Sequence, residues 1–180
     1  ILGSPLRTDR VQDFAEALKV WYIRKGYVLH SVTGATLKPE TATAEITVQE
    51  PKTNRAPVDI VFCKEMVVDD DTGDLISFRD YKDKHAARNT FGYDKIEKQN
   101  LNTTYVQTSG RTKPSRIASA MGLSPGAHFQ WDSLRWQKIS SSGIFSRILK
   151  ASPQPMPDGT VQLHVYALEA PARHLEYGLG

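Results

Sequence analysis

Apolar residues recur at helical spacing over residues 8–25, where Val11, Phe14, Ala15, Leu18 and Tyr22 share one face and Asp9, Asp13, Glu16 and Lys19 take the others. Thr8 and Asp9 are placed to cap the start, and Gly26 stands where a helix C-terminus favours a left-handed residue. The pattern predicts an amphipathic helix. The period then changes. Tyr27, Val28, Leu29, His30, Ser31 and Val32 form a run rich in β-formers, residues 34–40 read as a turn, and residues 43–49 alternate Ala44, Ile46 and Val48 against Thr43, Glu45 and Thr47. A helix is expected to feed an antiparallel strand pair.

Residues 51–57 are polar and bounded by Pro51 and Pro57, which reads as a linker, and Val58, Ile60, Val61 and Phe62 open a new strand. A second domain is therefore expected to begin near residue 57. Residues 67–104 turn acidic and polar, with Asp69, Asp70 and Asp71 near their start and no sustained period; they read as a long insertion or surface loop. Order returns at residues 104–108. Pro114 suits the first turn of a helix that Gly122 ends, and residues 124–126 form a turn. A second helix is expected over residues 131–142, with Trp136 and Ile139 on one face, although Leu134 falls off that stripe and Asp132 on it. Gly143 ends it, residues 144–152 read as a strand and residues 153–159 as a turn. Residues 160–169 alternate Val161, Leu163, Val165 and Ala167 against Gln162, His164, Tyr166 and Leu168. The order helix, strand, turn, strand thus occurs twice, so two similar small α+β domains are expected in tandem, the first lacking its opening strand and first helix.

Composition narrows the function classes. With 39% apolar residues in 180 the chain has enough hydrophobic material for packed cores. The net charge of +3 arises from 23 basic and 20 acidic residues spread along the whole length, with no basic run interleaved with aromatics, so no nucleic-acid partner is expected. Cys63 is the single cysteine, which excludes an internal disulfide and a paired-thiolate metal site. No stretch approaches the roughly 18 consecutive apolar residues of a membrane-spanning helix, and the first ten residues lack the charged and apolar regions of a signal peptide.

Candidate chemistry is sparse. His30, His85, His128, His164 and His174 show no HxxxH or HxH spacing, and Asp69, Asp70, Asp71 and Asp74 lack the glycine and terminal glutamate of a calcium loop. Satisfied or surface histidines and a mobile acidic loop are the expectation, with no metal and no cofactor. Nucleophile elbow, phosphate loop, CxxC and paired catalytic carboxylates are all missing, so no enzymatic activity is expected.

Several short stretches, in this order, resemble one family. The run Trp21-Tyr22-Ile23-Arg24-Lys25-Gly26-Tyr27-Val28 is similar to a helix-to-strand signature. Gly110-Arg111-Thr112-Lys113 resembles the turn that opens a first helix, Gly122-Leu123-Ser124-Pro125-Gly126 the turn between helices, and Ser142-Gly143-Ile144-Phe145 a Gly-x-Phe entry to an edge strand. The chain resembles POTRA domains, the polypeptide-transport-associated modules that precede the barrel in the BamA and chloroplast outer-envelope translocon superfamily. The resemblance implies an α+β fold of tandem β-α-α-β-β units, each a three-stranded mixed sheet with two helices on one face, the first truncated. It implies residues 1–50 as the C-terminal part of one unit, residues 57–170 as a membrane-proximal unit with an insertion at about 67–104, and residues 171–180 as the start of the barrel. The acidic insertion is foreign to compact bacterial units and points to the plastid outer envelope, with this region in the intermembrane space, ahead of the bacterial periplasm. The implied function is non-enzymatic: binding unfolded precursor proteins for import or membrane insertion, beside other translocon or assembly subunits and the chain's own barrel. The alternative is a structural spacer or docking module. The resemblance places precursor binding on edge strands, Tyr27, Val28, Leu29, His30, Ser31 and Val32 in the first unit and Ser146, Arg147, Ile148, Leu149 and Lys150 in the second.

Overall fold

The computed structural model describes residues 7–86 and 101–171 of the chain. The middle of the acidic insertion, His174 and all of the expected barrel start except Pro171 lie outside the described residues. Helix α1 spans Thr8–Arg24, and the N–H groups of Lys25 and Gly26 close its end on the carbonyls of Trp21, Tyr22 and Ile23 before Gly26 turns away at φ +80. Val11 and Ala15 are buried, but Phe14, expected on the same face, is 57% exposed. The helix adjoins strand β1, and the stripe it buries is narrower than its periodicity implies.

Strands β1 (Ser31–Lys38) and β2 (Thr43–Gln49) form an antiparallel hairpin running from Lys38↔Thr43 to Ser31↔Gln49. Two expectations are corrected here. Tyr27, Val28, Leu29 and His30 precede the strand: the Tyr27 N–H returns to the Tyr22 carbonyl at 3.0 Å and the His30 N–H to the Tyr27 carbonyl at 3.5 Å, so helix closure consumes groups a strand would need. Most of the expected turn at residues 34–40 is strand. Chain reversal occurs instead at the 3-10 turn Pro39–Thr41, closed by Ala42 in the left-handed region (φ 51, ψ 37), while the register shift between Val32 and Gly34 leaves Thr33 as the extra residue of a bulge.

Strand β3 (Thr53–Val68) begins inside the expected linker. Thr53 is buried, its N–H donates to the Ala127 carbonyl at 2.7 Å and its carbonyl accepts from Gly126 at 2.9 Å, while the Lys52 carbonyl accepts from Val161 at 2.8 Å. Backbone pairing on this scale outweighs the loop signal of the flanking prolines. The segment read as an insertion carries β4 (Leu75–Ile76) and α2 (Phe78–His85), and β5 (Thr103–Thr108) begins at its end, where order was expected to return. Helix α2 is capped by Ser77, whose hydroxyl oxygen accepts from the Asp80 N–H at 3.1 Å.

Helix α3 (Pro114–Met121) has Pro114 in its first turn and Gly122 at φ +80 after its last residue, as expected. The helix expected over residues 131–142 is broken into a 3-10 turn, Trp131–Ser133, and a short α4, Trp136–Ser141. Leu134 is extended (φ −67, ψ 129) between them and buried, which explains why it fell off the helical stripe. Strands β6 (Phe145–Pro155) and β7 (Val161–Glu169) complete the described chain.

Strand order in the five-stranded sheet is β4-β3-β7-β6, with β5 also pairing with β3 from Phe62↔Thr108 to Val67↔Thr103. The predicted alternation of β7 is realised: Val161, Leu163, Val165 and Ala167 are exposed by 1%, 0%, 1% and 0%, whereas Tyr166 is exposed by 37%. The chain falls into two compact units, one of Ile1–Asp59, Thr112–Ser142 and Ala151–His164, the other of Ile60–Arg111, Gly143–Lys150 and Val165–Gly180. Ile117, Met121, Phe129, Ile139 and Leu163 are buried in the first, and Phe62, Val67, Tyr81, Phe145 and Val165 in the second.

Truncating Leu163 to alanine removes a fully buried side chain and is expected to cost about 2–5 kcal/mol in urea unfolding. Tyr166→Ala on the same strand is expected to cost clearly less, and equal losses would contradict the burial pattern.

Candidate polypeptide-binding edge

Strand β6 ends the sheet order, with β7 as its neighbour. Ser146, Arg147, Ile148, Leu149 and Lys150 all lie in it; Ser146, Arg147 and Lys150 are exposed, and Ile148 and Leu149 half-buried. Towards β7 the Ile144 carbonyl accepts from Ala170 at 2.9 Å and the Ser146 hydroxyl donates to the Leu168 carbonyl at 3.3 Å. Among the described residues no strand pairs with the outward N–H and C=O groups of β6. The edge is longer than expected, since β6 continues to Pro155. Its end carries Pro153 and Pro155, and its middle Arg147 and Lys150, the residue types that discourage edge-to-edge aggregation. The proline-free stretch of β6 is residues 145–152.

The first-unit candidates divide differently. Ser31 and Val32 lie in β1, one of two strands in their own sheet. Tyr27 and His30 instead pack around Tyr22: its ring stacks on His30 at 4.8 Å and meets Tyr27 edge-on at 5.5 Å. The Tyr22 hydroxyl donates to the Glu50 carboxylate, whose other oxygen lies 3.1 Å from Nδ1 of His128. The bond to Glu50, reinforced by burial, holds the Tyr22 hydroxyl above its ordinary pKa. These side chains tie the end of α1 to the end of β2.

Gly26 belongs to the same tie. Its carbonyl accepts from Trp131 at 2.8 Å, the Lys25 carbonyl accepts from the Gln130 amide at 2.5 Å, and a Cβ on Gly26 would sit 2.9 Å from Asp132. No side chain larger than hydrogen fits there without displacing the Asp132 backbone.

Two further features escaped the sequence pattern. Phe14, Ala17, Leu18 and Trp21 line an open apolar groove on α1, with Phe14 and Trp21 at least half exposed. The expected mobile acidic loop is a tied turn over residues 69–74. Asp69 is 1% exposed; its Oδ1 accepts from the N–H groups of Asp71 at 2.9 Å and Thr72 at 3.4 Å, and its Oδ2 from Lys84 Nζ at 2.6 Å. The bond from Lys84 holds the Asp69 carboxyl below its usual range, against the opposing effect of burial. The Tyr81 hydroxyl donates to Asp70 at 2.8 Å. A Ser-x-x-Asp cap at Ser77 was the available signal for α2. The signal was missed because the flanking composition carries no apolar period.

Solved structures decide the fold. A structure described as POTRA1-3 of the periplasmic domain of Omp85 from Anabaena superposes with a TM-score of 0.57 over 97% of this chain and 55% of that one, at 22% identity. The fold is that of POTRA domains. The N-terminal domain of Omp85 from the thermophilic cyanobacterium Thermosynechococcus elongatus gives a TM-score of 0.56 over 93% of this chain, at 16% identity. The chain spans 55% of the length of each of these structures. No protein-family profile and no curated protein matches it. The α+β class with a mixed sheet, implied by the resemblance, is the one observed, but the sheets have two and five strands where three were implied, because β4 and β5 add to β3. Among the described residues no helix is long and apolar enough to cross a membrane.

Gly26→Ala and Gly126→Ala both place alanine at positive φ, at +80 and +77, but only at Gly26 does the new Cβ meet other atoms within 4 Å. Each is expected to lose about 1–2 kcal/mol from the left-handed backbone, and Gly26→Ala more than Gly126→Ala. Thermal unfolding of the two variants measures the difference, and an equal loss would remove the close approach to Asp132.

Proposed function

We propose that the chain is a stretch of the POTRA region of an Omp85-type outer-membrane β-barrel translocase or insertase, and that it receives extended precursor polypeptides by strand addition to β6. The observation that carries this reading is the terminal position of β6 in the sheet, with no strand among the described residues paired to its outer side over residues 145–152. Main-chain hydrogen bonds supply affinity without reading side chains in detail, which suits a receptor for varied unfolded clients. Ile148 and Leu149, half-buried neighbours on a pleated strand, point to opposite faces and offer apolar contact to a guest on either side. Ser31 and Val32 of β1 are a smaller second edge.

In this reading the soluble region faces the periplasm or an intermembrane space, beside its own barrel and other assembly subunits, and performs no catalysis. The acidic turn at residues 69–74, absent from a minimal β-α-α-β-β unit, supports the plastid outer envelope as the compartment. A second reading, a docking spacer for partner subunits, draws support from the exposed groove of Phe14, Ala17, Leu18 and Trp21 on α1.

The test is titration of the chain with an unfolded precursor and with its folded counterpart, repeated for Arg147→Pro and Ile148→Pro. Adjacent strand residues point their N–H groups to opposite sides, so one proline disrupts pairing with β7 and the other only the outer edge. The variant that keeps its circular dichroism spectrum is expected to bind unfolded precursor at least about tenfold more weakly. Undiminished binding in that variant, or equal binding of the folded counterpart, sinks strand addition and favours the spacer.

A further inference from the structure

His85, at the end of α2, is 6% exposed, and its Nε2 is a fully buried atom without a hydrogen-bond partner among the described residues. An unpaired buried ring nitrogen is costly and rare in a folded protein. This nitrogen lies 3.9 Å from Asp69 Oδ1 and 3.9 Å from Asp71 Oδ2, too far for a hydrogen bond to either. The three donor atoms lie within 4.8 Å of one another.

We propose that Asp69, Asp71 and His85 bind one divalent transition-metal ion of the zinc class. Two carboxylate oxygens and one imidazole nitrogen make a mixed N/O donor set that suits Zn²⁺ and is too nitrogen-rich for a calcium site. Bonds of about 2.0–2.2 Å in a tetrahedral arrangement separate ligand atoms by about 3.4 Å, so each pair at 3.9 Å closes by about half an ångström. The surroundings orient the ligands. Lys84 occupies Asp69 Oδ2 and leaves Oδ1 turned to the histidine, the N–H groups of Asp71 and Thr72 fix the same carboxylate, and the Tyr81 ring packs on His85 with centroids 4.3 Å apart. Outer contacts of this kind set ligand orientation in protein metal sites. The Asp71 side chain is 38% exposed, which leaves a route for the ion and room for water as a fourth ligand. Bound metal would join the loop after β3 to the end of α2 and complete the coordination of His85. The inference rests on the acidic segment alone and stands or falls independently of strand addition at β6.

The experiment is calorimetric titration of the metal-stripped 180-residue chain with Zn²⁺, with Co²⁺ absorption as a second readout. One ion per chain is expected, with the visible bands of tetrahedral Co²⁺. His85→Gln and Asp71→Asn are each expected to weaken binding at least about tenfold. Asp71 is partly exposed, so Asp71→Asn remains informative if His85→Gln fails to fold. His128→Gln and His164→Gln, whose rings each face a single carboxylate, Glu50 and Asp59, are expected to bind as the parent does. Less than one ion per chain, unchanged affinity in a folded Asp71→Asn or His85→Gln variant, or an equal loss in the His128 and His164 variants would overturn the site.

Discussion

The structure depends most on the alternation of strand β7. Val161, Leu163, Val165 and Ala167 are buried in succession along one face, and a slip of one residue would carry all four to the other face. That cost sets the register of the strand and therefore of its two neighbours, β3 and β6. The functional candidate follows from the same constraint. A central strand satisfied on both sides needs an outer neighbour, and that neighbour is β6, which no second strand joins among the described residues.

A second constraint is backbone hydrogen bonding around residues 26 and 52–53. Gly26 and Lys25 are held by the Gln130–Trp131 turn, and Lys52 and Thr53 by Gly126, Ala127 and Val161. Buried backbone groups require partners, so these bonds convert a proline-bounded polar segment into the start of a long strand. They also take Tyr27 and His30 out of any edge role, since both rings pack on Tyr22 beside the Glu50–His128 pair.

Legibility in the sequence followed the range of the interactions involved. Helices α1 and α3 were legible because their caps and turns are local: Gly26, Pro114 and Gly122 act on their immediate neighbours. Strand β7 was legible because alternation is a local pattern that burial enforces. The break after Ser133 was not, because Leu134 leaves the helix to reach a buried position that no neighbour in sequence announces. Helix α2 was obscured by charge, its buried face consisting of Tyr81 and His85 rather than an aliphatic stripe.

The sequence by itself determined the α+β class, the resemblance to POTRA units, residues 160–169 as an alternating strand and the segment 146–150 as a strand. Each rests on periodicity or on turn chemistry within a few residues. Only the tertiary structure decided the order of the strands, in which the segment 146–150 that the resemblance placed on an edge lies at one end, because strand order depends on pairings between segments far apart in the chain. It alone removed Tyr27, Val28, Leu29 and His30 from the candidate edge. It also brought Asp69 and Asp71 to His85, across a spacing that matches no metal motif, because a turn and a short helix fold back on each other and bury the ring.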